Sequence, residues 1–148
     1  MANRSARKFE SSLERALQLF PGIPSLKNEQ RECLQQLVIE KRDVLAILPR
    51  GYGKSLIYHI IPRMFEETST VLVVSPLESI REQQKRKLEK VGMFIVDFSE
   101  DVLSKVANAE LVFGSAEQWL SAKGKEAMKS IQNPVALVID EAHTTETW

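Results

Sequence analysis

The sequence predicts an α/β fold, in which a mostly parallel sheet carries helices on both faces. Short apolar runs without polar alternation recur along the chain, as is typical of strands buried in a parallel sheet. Stretches with helical spacing lie between these runs, which favours alternating strands and helices. The predicted strands are DVLAIL, TVLVVS, MFIV, ELVF and PVALVID, at residues 43–48, 70–75, 93–96, 110–113 and 134–140.

The carboxyl ends of these strands are where ligands are expected. In open parallel sheets, ligands bind in the crevice beyond the carboxyl ends of the strands. The chemistry of the chain should therefore lie just after Leu48, Ser75, Phe113 and Ile139.

The helices are predicted from apolar spacing and from residues that end helices. Residues 1–19 are expected to form an amphipathic helix, and its apolar face continues to residue 20. This face comprises Phe9, Leu13, Ala16, Leu17 and Phe20. The prolines and glycine of FPGIPS separate this helix from residues 20–148, which we assign to one main domain. Further helices are expected after Asn28, near Lys54, before Gly92 and from about Asp101.

Composition excludes several classes of protein. The chain has 148 residues and a formal net charge of zero, so bulk charge does not argue for nucleic acid, although a local basic groove is compatible with it. One cysteine excludes a disulfide framework and a cysteine zinc cluster. No apolar run approaches the ~20 residues of a membrane span, and the N-terminus lacks the apolar core of a secretory signal. We therefore expect a protein of the cell interior without a membrane partner.

A glycine-rich turn follows the first predicted strand, in the sequence LPRGYGKS. Gly51 and Gly53 allow a tight turn with no Cβ in the way. Lys54 would reach the β- and γ-phosphates of a nucleotide, and Ser55 would hold Mg²⁺. The common pattern has a further glycine where this chain has Leu48, so an ordinary glycine turn is the alternative.

Two acids follow the most apolar predicted strand, in the sequence LVIDEAH. Asp140 would bind Mg²⁺ through water, and Glu141 would polarise the attacking water. A solvated acidic turn is the alternative for this pair alone. Together with the glycine-rich turn, the pair favours a nucleotide site with Mg²⁺.

These motifs resemble those of superfamily-two helicases, in which the first glycine of the phosphate loop is commonly another residue. The finer resemblance is to the RecQ family of DNA helicases. LPRGYGKSLIYH is similar to its motif I, VVSPLESIREQ to motif Ia, LKNEQ to motif 0, and DEAHTTETW to motif II, whose tryptophan is matched by Trp148. The resemblance implies a RecA-like P-loop domain that carries motifs 0, I, Ia, Ib and II.

The resemblance also implies the roles of individual residues. The ATP-binding residues would be Lys27, Gln30, Pro49, Arg50, Gly51, Tyr52, Gly53, Lys54 and Ser55. The catalytic residues would be Lys54, Asp140, Glu141 and His143, with Ser55 and Asp140 at the Mg²⁺. Single-stranded DNA would contact Ser75, Pro76, Leu77 and Trp148.

Several residues depart from the family pattern. Arg50 replaces the usual threonine, Tyr52 a small residue, and Lys27 a frequent arginine. SAEQW lacks the proline and arginine of the usual APER, and Thr144 replaces a frequent cysteine. The sequence has no counterpart of motif III, the second RecA-like domain with its arginine finger, the zinc subdomain or the winged helix. We therefore expect a first helicase domain truncated after motif II.

The implied function is the ATP-binding domain of a 3′-to-5′ DNA helicase, in the nucleus or on the chromosome of a eukaryote and otherwise in the cytoplasm. By itself, the chain is expected to bind ATP weakly and to unwind nothing. One alternative is an RNA helicase of the DEAD or DEAH kind, against which Trp148 and SPLESI argue. The other alternative is a non-catalytic module that binds nucleotide or DNA.

Several other side chains are expected to be structural. Cys33, His59 and Trp119 should pack in the core, although Trp119 could also stack on a base. Pro62 is expected to end or kink its helix. A basic cluster interleaved with glutamates is expected to form a solvated helix face, and it comprises Arg81, Lys85, Arg86, Lys87 and Lys90.

Overall fold

The computed structural model describes residues 2–23, 25–40, 54–75, 77–99 and 102–140, with the backbone alone for residues 2–6 and 54. The chain forms two compact units, residues 1–66 and residues 67–148. The sequence did not indicate this division, and the assignment of residues 1–19 and 20–148 stays a prediction. The predicted strand at residues 43–48 lies outside the described residues.

Three helices form the described part of the first unit. They are α1 (Ala2–Leu17), α2 (Asn28–Val38) and α3 (Lys54–Met64). Both α1 and α2 pack against α3. The buried apolar residues of α1 and α3 are Phe9, Leu13, Ala16, Ile57, Tyr58, Ile60, Ile61 and Met64. The amphipathic N-terminal helix is therefore confirmed, and its apolar face packs within this unit.

Polar contacts join the helices of the first unit. The guanidinium group of Arg31 in α2 donates to both carboxylate oxygens of Glu10 in α1. Arg15 donates from Nη2 to the carbonyl of Met64 at the end of α3, over 3.3 Å. His59 is buried, as predicted, and its ring meets that of Tyr58 edge-on. The helix continues past Pro62 to Met64, so this proline lies within α3 close to its end.

The second unit alternates strands and helices. Its strands are β1 (Thr70–Val74), β2 (Ile95–Asp97), β3 (Leu111–Gly114) and β4 (Pro134–Ile139). Its helices are α4 (Glu78–Lys90), α5 (Val102–Lys105), α6 (Ala116–Leu120) and α7 (Ala122–Ser130), and a 3₁₀ turn at Val106–Asn108 follows α5.

The four described strands form one parallel sheet in the order β2-β3-β1-β4. Val71 aligns with Leu111 on one side and with Ala136 on the other. This arrangement confirms the predicted parallel α/β class. Strand β2 begins two residues later than predicted, because the N–H of Met93 bonds back to the carbonyl of Leu88 in α4. Gly92, with φ of 91°, makes the left-handed turn that this helix ending requires.

Trp119 belongs to a cluster of buried apolar residues in the second unit. The indole Nε1 of Trp119 donates to the carbonyl of Val73 over 3.0 Å, and its ring meets Phe98 edge-on at 4.7 Å. Gly114 lies against this pair, since a Cβ there would approach the Phe98 ring to 2.7 Å. Trp119 is therefore a core residue, as predicted, and base stacking is not its role.

Strand β4 is less buried than its sequence predicts. Leu137 and Ile139 alternate onto one face of the sheet, and they are 61% and 64% exposed. Among the residues that the structure describes, no helix is both long and apolar enough to cross a membrane.

Candidate nucleotide and nucleic-acid site

The carboxyl ends of three neighbouring strands lie side by side in the second unit. Ser75 follows β1, Ser115 follows β3, and Asp140 follows β4. The N–H of Ser75 donates to the carbonyl of Gly114 over 2.9 Å, and the N–H of Asp140 donates to that of Val74 over 2.8 Å. The edge predicted to carry the chemistry therefore brings together the strand ends that precede motif Ia, SAEQW and motif II.

Asp140 is the one residue of the predicted catalytic set whose side chain the structure describes. It is half-buried and follows β4 directly, which is where a Mg²⁺ ligand was expected. Glu141, His143 and Trp148 lie outside the described residues. Within the described ranges, no group of three or more His, Cys, Asp or Glu side chains could hold a metal ion.

The helix that follows the predicted phosphate loop begins where the sequence places it. Helix α3 starts at Lys54, and Ser55 is half-buried in its first turn. The first N–H groups of a helix have no partner within the helix, and they favour an anion at that end. Pro49, Arg50, Gly51, Tyr52 and Gly53 lie outside the described residues.

Gln30, the predicted adenine-reading residue, has a structural contact that the sequence analysis missed. Its side chain is buried in the first turn of α2, and Oε1 accepts the N–H of Lys27 over 2.9 Å. Lys27 is exposed and occupies the N-cap position, one residue before the predicted cap. A glutamine three residues after an N-cap is the capping-box position, so this contact has a sequence signal. A complete capping box also needs the N-cap side chain to accept a hydrogen bond, which lysine cannot do. Only the bond from the Lys27 N–H to Gln30 is therefore a capping contact here.

The motif Ia loop is held more tightly than its sequence indicates. Ser75 is 3% exposed, and both of its backbone polar groups are bonded. Its N–H is bonded to Gly114 and is not available to nucleic acid in this structure. Leu77, which is exposed, is the N-cap residue of α4 and makes no side-chain cap. Pro76 lies outside the described residues.

Arg81 corrects the prediction that the basic cluster forms a solvated face. Arg86, Lys87 and Lys90 are exposed as predicted, but Arg81 is 4% exposed. Its Nε donates to Asp97 Oδ2 over 2.9 Å, and its Nη1 donates to the carbonyl of Ser75 over 2.8 Å. Helical spacing could have found this residue, because Arg81 lies two turns before the buried Leu88 on the same face.

The departure from the APER pattern has a structural explanation. Ser115 Oγ accepts the N–H of Gln118 over 3.1 Å, and Gln118 Oε1 accepts the N–H of Ser115 over 2.8 Å. This capping box starts α6. The side chain of Gln118 thus stabilises the end of β3, where the family pattern has an arginine.

Cys33 takes no part in this edge. It is buried in α2, and burial together with the nearby Glu32 carboxylate raises the pKa of its thiol. A thiol of raised pKa is a poor nucleophile near neutral pH, so Cys33 is a packing residue, as predicted.

The fold and the strand-end motifs define a RecA-like helicase domain. The family model for DEAD/DEAH box helicases matches residues 27–148, and the chain belongs to this family. It is similar to the probable ATP-dependent DNA helicase RecS of Bacillus subtilis, with 32% identity over 93% of this chain and 29% of the relative. It is also similar to the ATP-dependent DNA helicase RecQ of the same bacterium, with 26% identity over 86% of this chain and 23% of the relative.

A third relative bears on the choice of nucleic acid. The putative ATP-dependent RNA helicase R290 of Acanthamoeba polyphaga mimivirus is 28% identical over 92% of this chain and 26% of the relative. The chain spans less than a third of the length of each of these three proteins.

Proposed function

We propose that the chain is the ATP-binding domain of a RecQ-like helicase that moves 3′ to 5′ on single-stranded DNA. The observation that carries the proposal is the shared edge of β1 and β4. Asp140, the acid predicted to hold Mg²⁺, follows β4, and the loop predicted to contact DNA follows the neighbouring strand β1. The N–H of Asp140 donates to the carbonyl of Val74, the residue before Ser75. We therefore expect a change at one strand end to be felt at the other, since one backbone hydrogen bond joins them.

Taken unit by unit, the residues proposed to bind a Mg-nucleotide have suitable chemistry. In the first unit, the start of α3 offers backbone N–H groups, with Lys54 and the Ser55 hydroxyl in the same turn. In the second unit, Asp140 offers a carboxylate oxygen, and hard cations such as Mg²⁺ prefer oxygen ligands. Bound Mg²⁺ would neutralise charge that develops on the phosphates. Lys54 would hold the phosphates, Glu141 and His143 would orient water and couple to DNA, and Gln30 would read adenine.

We expect only some of the residues of motif Ia to contact DNA. Since the Ser75 backbone is bonded on both sides, Ser75 would position the loop, and Leu77 with the start of α4 would meet the strand. Phosphate contacts through helix N–H groups carry no base sequence. We expect binding that is indifferent to sequence, as a translocating enzyme requires.

A longer protein would complete the enzyme. A second RecA-like domain would supply an arginine to the γ-phosphate and would close around the nucleotide, so that DNA is gripped and released in turn. The relatives named as DNA helicases, RecS and RecQ, are each more than three times as long as the matched region, which supports this part of the proposal.

The alternative is an RNA helicase, favoured by the resemblance to the protein named RNA helicase R290. The test measures retention of labelled single-stranded DNA and RNA of one sequence by the 148-residue chain, with and without Mg-ATP. Tighter binding to DNA that changes on addition of Mg-ATP supports the proposal. A clear preference for RNA overturns the DNA assignment, and equal binding with no response to ATP favours a non-catalytic binding module.

A further inference from the structure

We infer that Arg81 is a positioning residue that fixes the motif Ia loop for nucleic-acid binding, by tying the end of β1 to the end of β2. The inference rests on the proposed function and extends it to a residue outside the predicted site. Three groups meet at this arginine: the carboxylate of Asp97, the carbonyl of Ser75 and the start of α4.

The first argument is the pairing of each donor with an acceptor. Arg81 Nε and Nη1 point to two different acceptors, Asp97 Oδ2 at 2.9 Å and Ser75 O at 2.8 Å. The second oxygen of Asp97, Oδ1, accepts the N–H of Ser99 over 2.9 Å. A planar guanidinium group with fixed donor directions can serve two acceptors at once, which a single lysine nitrogen does less well.

The second argument is burial. Arg81 is 4% exposed, Asp97 1% and Ser75 3%. Buried charges are tolerated where they are paired and hydrogen-bonded, and both conditions hold for this pair. Because the pair excludes water, the Ser75 carbonyl has a strong and directional partner.

The third argument is location. Ser75 O is the last carbonyl before the loop that carries Leu77, and Asp97 is the last residue of β2. Strand β3 lies between β1 and β2 in the sheet. Arg81 thus crosses the carboxyl edge and fixes the direction in which the chain leaves β1. A residue required only for stability could sit anywhere in the core, whereas this one holds the backbone of the loop itself.

The decisive comparison is between Arg81→Met and Arg86→Met. Both changes remove one positive charge from α4, but Arg86 is exposed and Arg81 is buried. We expect Arg81→Met to bind single-stranded DNA about tenfold more weakly, a coupling of ordinary size between two sites. The slope of log affinity against log salt should not change, because a buried arginine releases no counterions from DNA. ATP binding should stay at the level of the unmodified chain in both variants.

Loop order is measured separately, by amide hydrogen exchange of the peptide that covers residues 77–81. Exchange should rise in Arg81→Met and stay unchanged in Arg86→Met. Arg81→Lys should fall between Arg81→Met and the unmodified chain, since lysine keeps the charge near Asp97 and loses one of the two bonds. If Arg81→Met does not fold, Arg81→Met with Asp97→Asn removes both buried charges and keeps an acceptor for Ser99, and the same results are expected of it.

The outcomes separate the two proposals. If the unmodified chain binds no DNA, the proposed function fails, and the exchange measurement still decides whether Arg81 holds the loop. If exchange and DNA affinity are the same in a folded Arg81 variant and in Arg86→Met, the positioning role is overturned. Weaker DNA binding with a smaller salt slope would also overturn it, because that result would make Arg81 a phosphate contact.

Discussion

Gln30 allows a test that separates helix capping from recognition of adenine. The two roles share Oε1, which caps the N–H of Lys27, but only the paired contact with an adenine edge also needs the amide nitrogen as a donor. Gln30→Ala removes both roles, whereas Gln30→Glu keeps an acceptor at the capping-box position and loses the donor.

The magnitudes follow from the contacts. Removing this part-buried cap leaves the Lys27 N–H without its protein partner, and loss of a helix cap typically costs about 0.5–2 kcal/mol. Gln30→Ala should therefore lower the free energy of unfolding by about that amount, and Gln30→Glu by much less. A paired glutamine contact with an adenine edge discriminates by about 1–3 kcal/mol, so both variants should lose about five- to 150-fold of the preference for ATP over GTP.

The assay titrates ATP and GTP against the three proteins at pH 8 and measures unfolding of each in urea. Lys27→Ala is the control for the unfolding measurement alone, because it keeps the backbone N–H that Gln30 caps, whereas Lys27 is itself a predicted ATP-binding residue. A folded Gln30→Glu variant that keeps the full preference for ATP would refute the adenine role. Equal destabilisation by both Gln30 changes would refute the capping role.

Four further outcomes are expected. Lys54→Ala should weaken ATP and GTP alike, because it removes a charge from the phosphates; calorimetry that shows loss of ATP alone would contradict this. Asp140→Ala should abolish the Mg²⁺ dependence of ATP binding, and an unchanged dependence in a Mg²⁺ titration would place the metal elsewhere. A polypeptide limited to residues 1–148 should release no phosphate in response to single-stranded DNA, since it would lack the arginine proposed for a second domain, and loss of an arginine finger costs about 10³–10⁵ in rate; robust DNA-stimulated release would contradict it. Because the pKa of Cys33 is raised, alkylation of its thiol in the folded chain should accelerate only at a higher pH than in the urea-unfolded chain. Glu32→Gln should move the pH profile of alkylation in the folded chain to lower pH; a profile that superimposes on that of the unmodified chain would contradict the contribution assigned to Glu32.

Apolar runs were sufficient to predict most of the second unit. Strands β1, β3 and β4 lie within one residue of their predicted bounds. A continuous apolar run is typical of a buried parallel strand, as β1 and β3 are. The run in β4 predicted its bounds, although not its exposure. Strand β2 was misplaced at its start, because Met93 is apolar and yet its N–H closes the end of α4. Apolar character alone does not distinguish those two uses of a residue.

The partner of the buried arginine at this edge could not be predicted from sequence patterns. Arg81 was assigned to solvent by its charge, and its partner Asp97 is 16 residues away in another element. The cap on Lys27 lies within one turn of Gln30, and the capping-box spacing would have predicted it. Local contacts can therefore be predicted from the sequence, whereas a buried ion pair depends on which strands become neighbours.

The end of β1 combines a fixed backbone with an exposed side chain, and this combination suits the proposed function, in which a change at the nucleotide would become a change at DNA. Gly114 and Arg81 hold the two polar groups of Ser75, and Asp140 bonds to the carbonyl of Val74 just before it. Removing one partner of a buried ion pair typically costs about 3–5 kcal/mol, so Arg81 and Asp97 resist local opening of this edge. A displacement of Asp140 must then move the strand end as a unit, and Leu77, which is 42% exposed, would be carried with it. If the edge were loose, the same displacement would be absorbed within the loop, and the nucleotide would have no effect on the strand of DNA.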